Sequence, residues 1–154
     1  MDQNGTESTA FEFTGTYNHG LDAKGRLTLP AAFREHLNET SAAKFAIWLD
    51  KQCIAIYPLP VWRQFLAKLQ SLPWTDARSE SVKRVVLSSA FNCEVDKQGR
   101  TVLPPHLREL VGIGREVTLV GKGQFVEVWD RAKWADYFKR GHESLEADAS
   151  RLTL

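Results

Sequence analysis

The sequence predicts an α+β, β-rich domain with internal pseudo-twofold symmetry, in which hairpins are flanked by short helices. Three observations predict it. A 21-residue stretch beginning at Tyr17 returns 74 positions later, beginning at Phe91, with aspartate, glycine, arginine, Leu-Pro and Arg-Glu in the same places. Short apolar runs alternate with polar residues and end at Gly- or Asp-containing turns, the signature of strands joined as hairpins. Trp62, Phe65 and Leu66 fall at helical spacing, and Trp134, Tyr137 and Phe138 repeat that pattern 72 positions on. Two copies are too few for a stacked solenoid, so the duplication points to one domain made of two similar halves.

Taken in order, residues 1–12 are rich in Ser, Thr, Gly, Asn and Gln. They bury too little apolar surface to offset ordering entropy and are expected to be a disordered leader. Residues 13–21 read as a strand, and Asp22-Ala23-Lys24-Gly25 as a turn in which glycine supplies positive φ. Residues 26–29 are expected to return as its partner, with Leu27 and Leu29 on one face. Pro30 then suits the first turn of a helix, where its missing N–H would be unpaired in any case. Phe33 and Leu37 continue that helix at i, i+4. Residues 45–57 read as a second hairpin around Asp50-Lys51-Gln52, followed by an amphipathic helix at 60–70. Val82, Val85 and Val86 give a connecting helix within 76–89. The second half repeats the plan, with strands at 117–120 and 125–129 around the turn Gly121-Lys122-Gly123-Gln124. Residues 141–154 show no convincing periodicity and are expected to fray.

The chain has 154 residues, 43% hydrophobic and 25% charged, which is ordinary globular composition. No apolar run approaches the ~18 residues of a membrane span, and no secretory signal is visible, so no membrane partner is expected. Cys53 and Cys93 have no metal-ligand spacing and are expected to be buried free thiols of a reducing cytosol. The net charge of +1 hides an uneven distribution. Residues 1–12 hold three acids and 141–154 hold three acids against one arginine, so residues 13–140 carry 19 Lys/Arg against 13 Asp/Glu, or +6. That core permits a polyanionic partner without demanding one.

The repeated Asp-x-x-Gly-Arg is the candidate site. Asp22 and Arg26, or Asp96 and Arg100, can simply pair across their turns, an exposed ion pair worth about 0–1 kcal/mol. The duplication suggests more. Pseudo-twofold packing would bring Arg26 and Arg100 to equivalent places on one surface, with Lys24 and Lys97 as further bases in the turns. Guanidinium groups there suit phosphate oxygens and the O6/N7 edge of guanine. Gly25 and Gly99 shape the turns, and Asp22 and Asp96 can orient the arginines. Other chemistry fits poorly. Gly-Arg-Leu-Thr-Leu-Pro lacks the Gly-Lys-Ser/Thr ending of a P-loop. His19, His36, His106 and His142 show no zinc spacing. No serine sits in a nucleophile elbow, and Cys53 has no histidine near it in sequence. No cofactor, small-molecule substrate or enzymatic activity is expected. Trp62 and Trp134 are expected as core anchors, while Trp48, Trp74 and Trp129 are undecided.

With these residues in view, the chain resembles the MraZ family of bacterial regulators. The resemblance rests on Gly15-Thr16-Tyr17, the run from Leu21 through Asp22, Gly25 and Arg26 to Leu29-Pro30, and Leu59-Pro60-Val61-Trp62. It continues through Asp96-Lys97-Gln98-Gly99-Arg100, Leu103-Pro104-Pro105-His106-Leu107-Arg108, Leu119-Val120-Gly121 and Val126-Glu127-Val128-Trp129-Asp130. It implies two AbrB-like halves folded together as a swapped-hairpin, double-split β-barrel. The repeats would occupy 14–60 and 90–133, with a helical connector at 61–89 and a C-terminal helix and tail at 134–154. It further implies a cytoplasmic, nucleoid-associated protein that binds double-stranded DNA at direct repeats in its own promoter. Such a protein would act as a ring-like homo-oligomer and regulate, commonly repress, the division and cell-wall gene cluster. The DNA-contacting residues would be Lys24, Arg26, Lys97 and Arg100. An AbrB-like protein-interaction module, controlling a protein partner as an antitoxin does, stays open as the alternative.

Overall fold

The computed structural model describes residues 11–40 and 43–154. Eight strands and six helices follow one another among them in two similar series. The first half contains β1 (Thr16–Gly20), β2 (Arg26–Thr28), α1 (Ala31–Thr40), β3 (Ala43–Ile47), β4 (Ile54–Pro58) and α2 (Leu59–Gln70). A connecting helix, α3 (Ala77–Ser88), is capped by the Asp76 carboxylate, which accepts from the Arg78 N–H. The second half contains β5 (Phe91–Cys93), β6 (Arg100–Val102), α4 (Pro105–Val111), β7 (Glu116–Gly121), β8 (Val126–Asp130) and α5 (Arg131–Glu143). Pro30 and Pro104 immediately precede or cap α1 and α4, and Gly112 ends α4 with φ +71°, as a left-handed helix stop requires.

The strands form an antiparallel six-stranded sheet in the order β1-β7-β8-β4-β3-β5 and a separate two-stranded ribbon, β2-β6. Exchanging each strand for its repeat counterpart returns the same order, so a pseudo-dyad passes between β8 and β4. Its centre is the facing pair Ala55 and Glu127, which are equivalent positions of the two repeats. In the ribbon the same axis passes through Leu27 and Thr101, again an equivalent pair. The duplication seen in the sequence is therefore a symmetry of the fold.

Two expectations need correction. The hairpins expected at 45–57 and 117–129 form as β3–β4 and β7–β8, but those around the two Asp-x-x-Gly-Arg turns do not continue beyond the turn: β1 pairs with β7, while β2 pairs with β6 across the halves. Leu21 N–H donates to the Arg115 carbonyl and Leu29 N–H to that of Gly99, so each strand leaves its sequence neighbour for the other repeat. The gain is burial: Leu27, Leu29 and Leu103 reach 0–1% exposure in the shared core, each burial contributing about 1.5–3 kcal/mol. The hydrogen bonding also does not close a barrel. The sheet is open at β1 and β5, because the short strands β2 and β6 satisfy each other instead.

The core is continuous across both halves, and Trp62 anchors it at 5% exposure. Trp134 is only half-buried, its ring set against Trp129 at 5.2 Å, and the aromatic stripe beyond it stays exposed. Trp48 is half-buried, Trp129 is buried and Trp74 stands in solvent. Of the expected leader, residues 1–10 lie outside the described residues, whereas Phe11 is buried and stacks on Phe13. The tail expected to fray is helical. The segment α6 (Leu145–Arg151) has acids in its first turn and Arg151 in its last, which complements the helix dipole without needing an apolar face. No helix among the described residues is long and apolar enough to cross a membrane. Cys53 and Cys93 are buried free thiols, and burial pushes the Cys93 thiol up to about 11.

Candidate nucleic-acid interface

Each Asp-x-x-Gly-Arg segment folds into the same turn. Gly25 N–H donates to the Asp22 carbonyl at 2.9 Å, and Gly99 N–H to that of Asp96 at 3.0 Å. Both glycines lie in the left-handed region, at φ +76° and +79°, where a β-carbon is costly. The aspartate then organises the loop from inside. Asp22 Oδ1 accepts from the N–H groups of Lys24 and Arg26, and Asp96 Oδ1 from those of Gln98 and Arg100, all at 2.9 Å. The second carboxylate oxygen accepts from arginine Nε, at 2.5 Å in the first turn and 3.0 Å in the second. The Arg26 backbone N–H, foremost, holds the Asp22 carboxyl down at about 2, and the Arg100 backbone N–H lowers that of Asp96. Both aspartates therefore stay charged and fixed at any physiological pH.

The ion pair predicted from spacing is thus real, yet it occupies only Nε of each arginine. The terminal nitrogens of Arg26 and Arg100 have no protein partner among the described residues. A guanidinium held by Nε keeps its two-pronged outer edge for a ligand, the geometry that matches a phosphate or a guanine edge.

The ribbon brings the two arginines together. Its register pairs Arg26 with Val102, Leu27 with Thr101 and Thr28 with Arg100. Leu27 and Thr101 point inward, at 0% and 2% exposure. Alternation then puts Arg26, Thr28, Arg100 and Val102 on the opposite, outer face. There Arg26 and Arg100 are diagonal neighbours, with β-carbons about 7–8 Å apart. Lys24 and Lys97 are exposed at the two turns, with no side-chain acceptor among the described residues. Arg26 and Arg100 thus share one face, which neither half could build alone, and Lys24 and Lys97 are exposed in the turns that lead into its two strands.

Two further arginines reach the turns themselves. Arg34, from α1 of the first half, reaches the turn of the second. Its Nη1 lies 3.4 Å from the Gln98 carbonyl, and a β-carbon on Gly99 would fall 1.9 Å from the same nitrogen. Reciprocally, Arg108 of α4 lies over Gly25, where an added β-carbon would sit 3.0 Å from its Nη2. Each helix therefore lays a guanidinium on the turn of the opposite repeat. Sequence reasoning passed over both, although the duplicated Arg34-Glu35 and Arg108-Glu109 carried the signal. Among the described residues, no group of three or more His, Cys, Asp or Glu side chains is placed to hold a metal ion.

A family model described as "MraZ protein, putative antitoxin-like" matches the chain twice, over residues 13–85 and 86–154. Curated relatives align across nearly the whole molecule. The Transcriptional regulator MraZ of Heliobacterium modesticaldum is 39% identical over 140 residues, covering 91% of this chain and 96% of its own. That of Syntrophomonas wolfei is 42% identical over 140 residues, with the same coverage. That of Moorella thermoacetica is 41% identical over 142 residues, again covering 91% and 96%.

Proposed function

The chain belongs to the MraZ family, and from that membership we propose that it is a sequence-specific DNA-binding transcriptional regulator. The relatives' shared name supports regulation of transcription. The observation that carries the DNA reading is the pair Arg26 and Arg100 on the outer face of the β2–β6 ribbon, each held through Nε with its terminal nitrogens unpartnered among the described residues. A two-stranded ribbon fits the major groove of B-DNA, where arginine meets guanine O6 and N7. Lys24 and Lys97, beside the ribbon, take the flanking phosphates.

In this reading the AbrB-like repeats at 14–60 and 90–133 interleave as swapped hairpins, and the chain works in the cytoplasm on nucleoid DNA. It represses its own promoter, in the division and cell-wall gene cluster, through direct repeats. One ribbon neutralises few phosphates. A ring of copies engages successive repeats and multiplies the effect through linked binding. The exposed stripe of Tyr137, Phe138 and Leu145, at 43–60% exposure, supports such assembly.

Arg26→Ala and Arg100→Ala test the site. Each is expected to weaken binding to promoter DNA by roughly 5- to 150-fold, from the loss of about 1–3 kcal/mol per base contact. Fluorescence anisotropy reads the affinity, and circular dichroism and light scattering check fold and assembly. Undiminished affinity in both variants would remove the ribbon from the interface. Recovery of one stoichiometric protein partner in the absence of DNA would favour the antitoxin-like alternative.

A further inference from the structure

The outer face of the ribbon is symmetric in its arginines but not in the residues beside them. The pseudo-dyad through Leu27 and Thr101 exchanges Arg26 with Arg100, and it exchanges Thr28 with Val102. Arg26 therefore stands directly opposite a valine, and Arg100 directly opposite a threonine. Valine and threonine share a shape and differ in one group, a methyl in place of a hydroxyl. Val102 is 51% exposed and lies outside both core clusters, while Thr101 and Leu103 on either side of it are buried. By its register it shares the outer face with Arg26 and Arg100.

We propose that Val102 is a specificity residue that reads the 5-methyl group of a thymine beside the base contacted by Arg26. The proposal rests on the reading that the ribbon enters the major groove. On the floor of that groove the thymine methyl is the apolar group that distinguishes one base pair from another. Valine has no donor or acceptor, so it makes an apolar contact or none. Thr28, at the other end, offers both a methyl and a hydroxyl and tolerates several bases. The Arg26–Val102 end thus demands thymine, and the Arg100–Thr28 end is permissive. A duplicated protein motif thereby reads an unequal pair of half-sites and fixes the polarity of the chain on its DNA.

The test begins with full-length protein and duplexes selected from a random pool. Each thymine of the enriched sequence is then replaced singly by uracil, which removes only the methyl. One position is expected to lose affinity roughly fourfold, the value of burying one methyl group. Val102→Thr, nearly isosteric and exposed, keeps one methyl and exchanges the other for a hydroxyl, so it should reduce that penalty and relax base preference at that position, with circular dichroism unchanged. Thr28→Val should create a second uracil-sensitive position. If the pool enriches a sequence but no uracil substitution matters, or Val102→Thr selects the same sequence with the same penalty, the proposal falls while DNA recognition stands. If no sequence is enriched, both fall.

Discussion

At the scale of single residues, the two turns are governed by carboxylates that never leave their charged form near neutrality. The Asp22 carboxyl is held at about 2, below its ordinary 3.8, first by the Arg26 N–H and then by the Arg26 side chain and the Lys24 N–H. A carboxylate whose value is depressed by folding stabilises the native state fully above its ordinary value and loses that contribution as pH falls through the folded one. Stability should therefore decline between pH 4 and about 2, and Asp22→Asn should flatten that decline in urea titrations read by tryptophan fluorescence. Gly99→Ala probes the same turn differently. A left-handed φ costs an L-residue about 1–2 kcal/mol, and the added carbon would strike Arg34 Nη1. Arg34 can swing away, so the expected result is a loss of about 1–2 kcal/mol with the fold retained. The aspartates, glycines and arginines were legible in the sequence because a repeated turn has a fixed residue chemistry. Arg34 and Arg108 were visible as a duplicated Arg-Glu pair, but the turns they reach were not, because those turns are 64 residues away in one case and in the opposite half in both.

At the scale of elements, the pairing of β1, β2, β5 and β6 follows burial instead of sequence proximity. Strand boundaries and helix stripes were readable from periodicity: α2, α3 and the strands of both later hairpins stand within a few residues of their expected places. The partners of β3–β4 and β7–β8 were readable too, but those of β1, β2, β5 and β6 were not, since a turn motif specifies only the residues it contains. Beyond Asp22 and Arg26 the choice of partner depends on which apolar edges meet in three dimensions. Strand β7 shows how tight these meetings are. Its Gly121 N–H donates to the Gly15 carbonyl at 2.9 Å, and a β-carbon there would lie 2.4 Å from the Thr14 nitrogen. The obstacle is backbone, which cannot step aside. Gly121→Ala should therefore lift the segment carrying Phe13, which is 1% exposed, and cost about 2–4 kcal/mol. Gly20→Ala, with nothing within 4 Å of the added carbon, should stay within about 0.5 kcal/mol. Thermal denaturation of the two variants side by side checks both values.

At the scale of the whole molecule, the halves are interleaved: β1–β7, β2–β6 and β4–β8 all join one repeat to the other. Each half holds only one hairpin of its own, β3–β4 or β7–β8, and neither holds the complete sheet or the ribbon. Fragments 1–74 and 75–154 should each lack the shared sheet and ribbon alone, and mixing them should restore the far-ultraviolet spectrum of the intact chain. The intact chain should melt in one calorimetric transition, since no division leaves either core complete. By itself, the sequence determined that there are two equivalent halves, what turn each carries, and which arginines are candidates for a ligand. These are local properties, set by the chemistry of a few adjacent residues. Only the tertiary structure decided that the arginines share one face, that a separate ribbon carries them, and that Val102 and Thr28 stand beside them. Those facts depend on register between strands 74 residues apart in the chain. Burial of Leu27, Leu29 and Leu103 in a common core selects that register, and local turn chemistry has no means of encoding it.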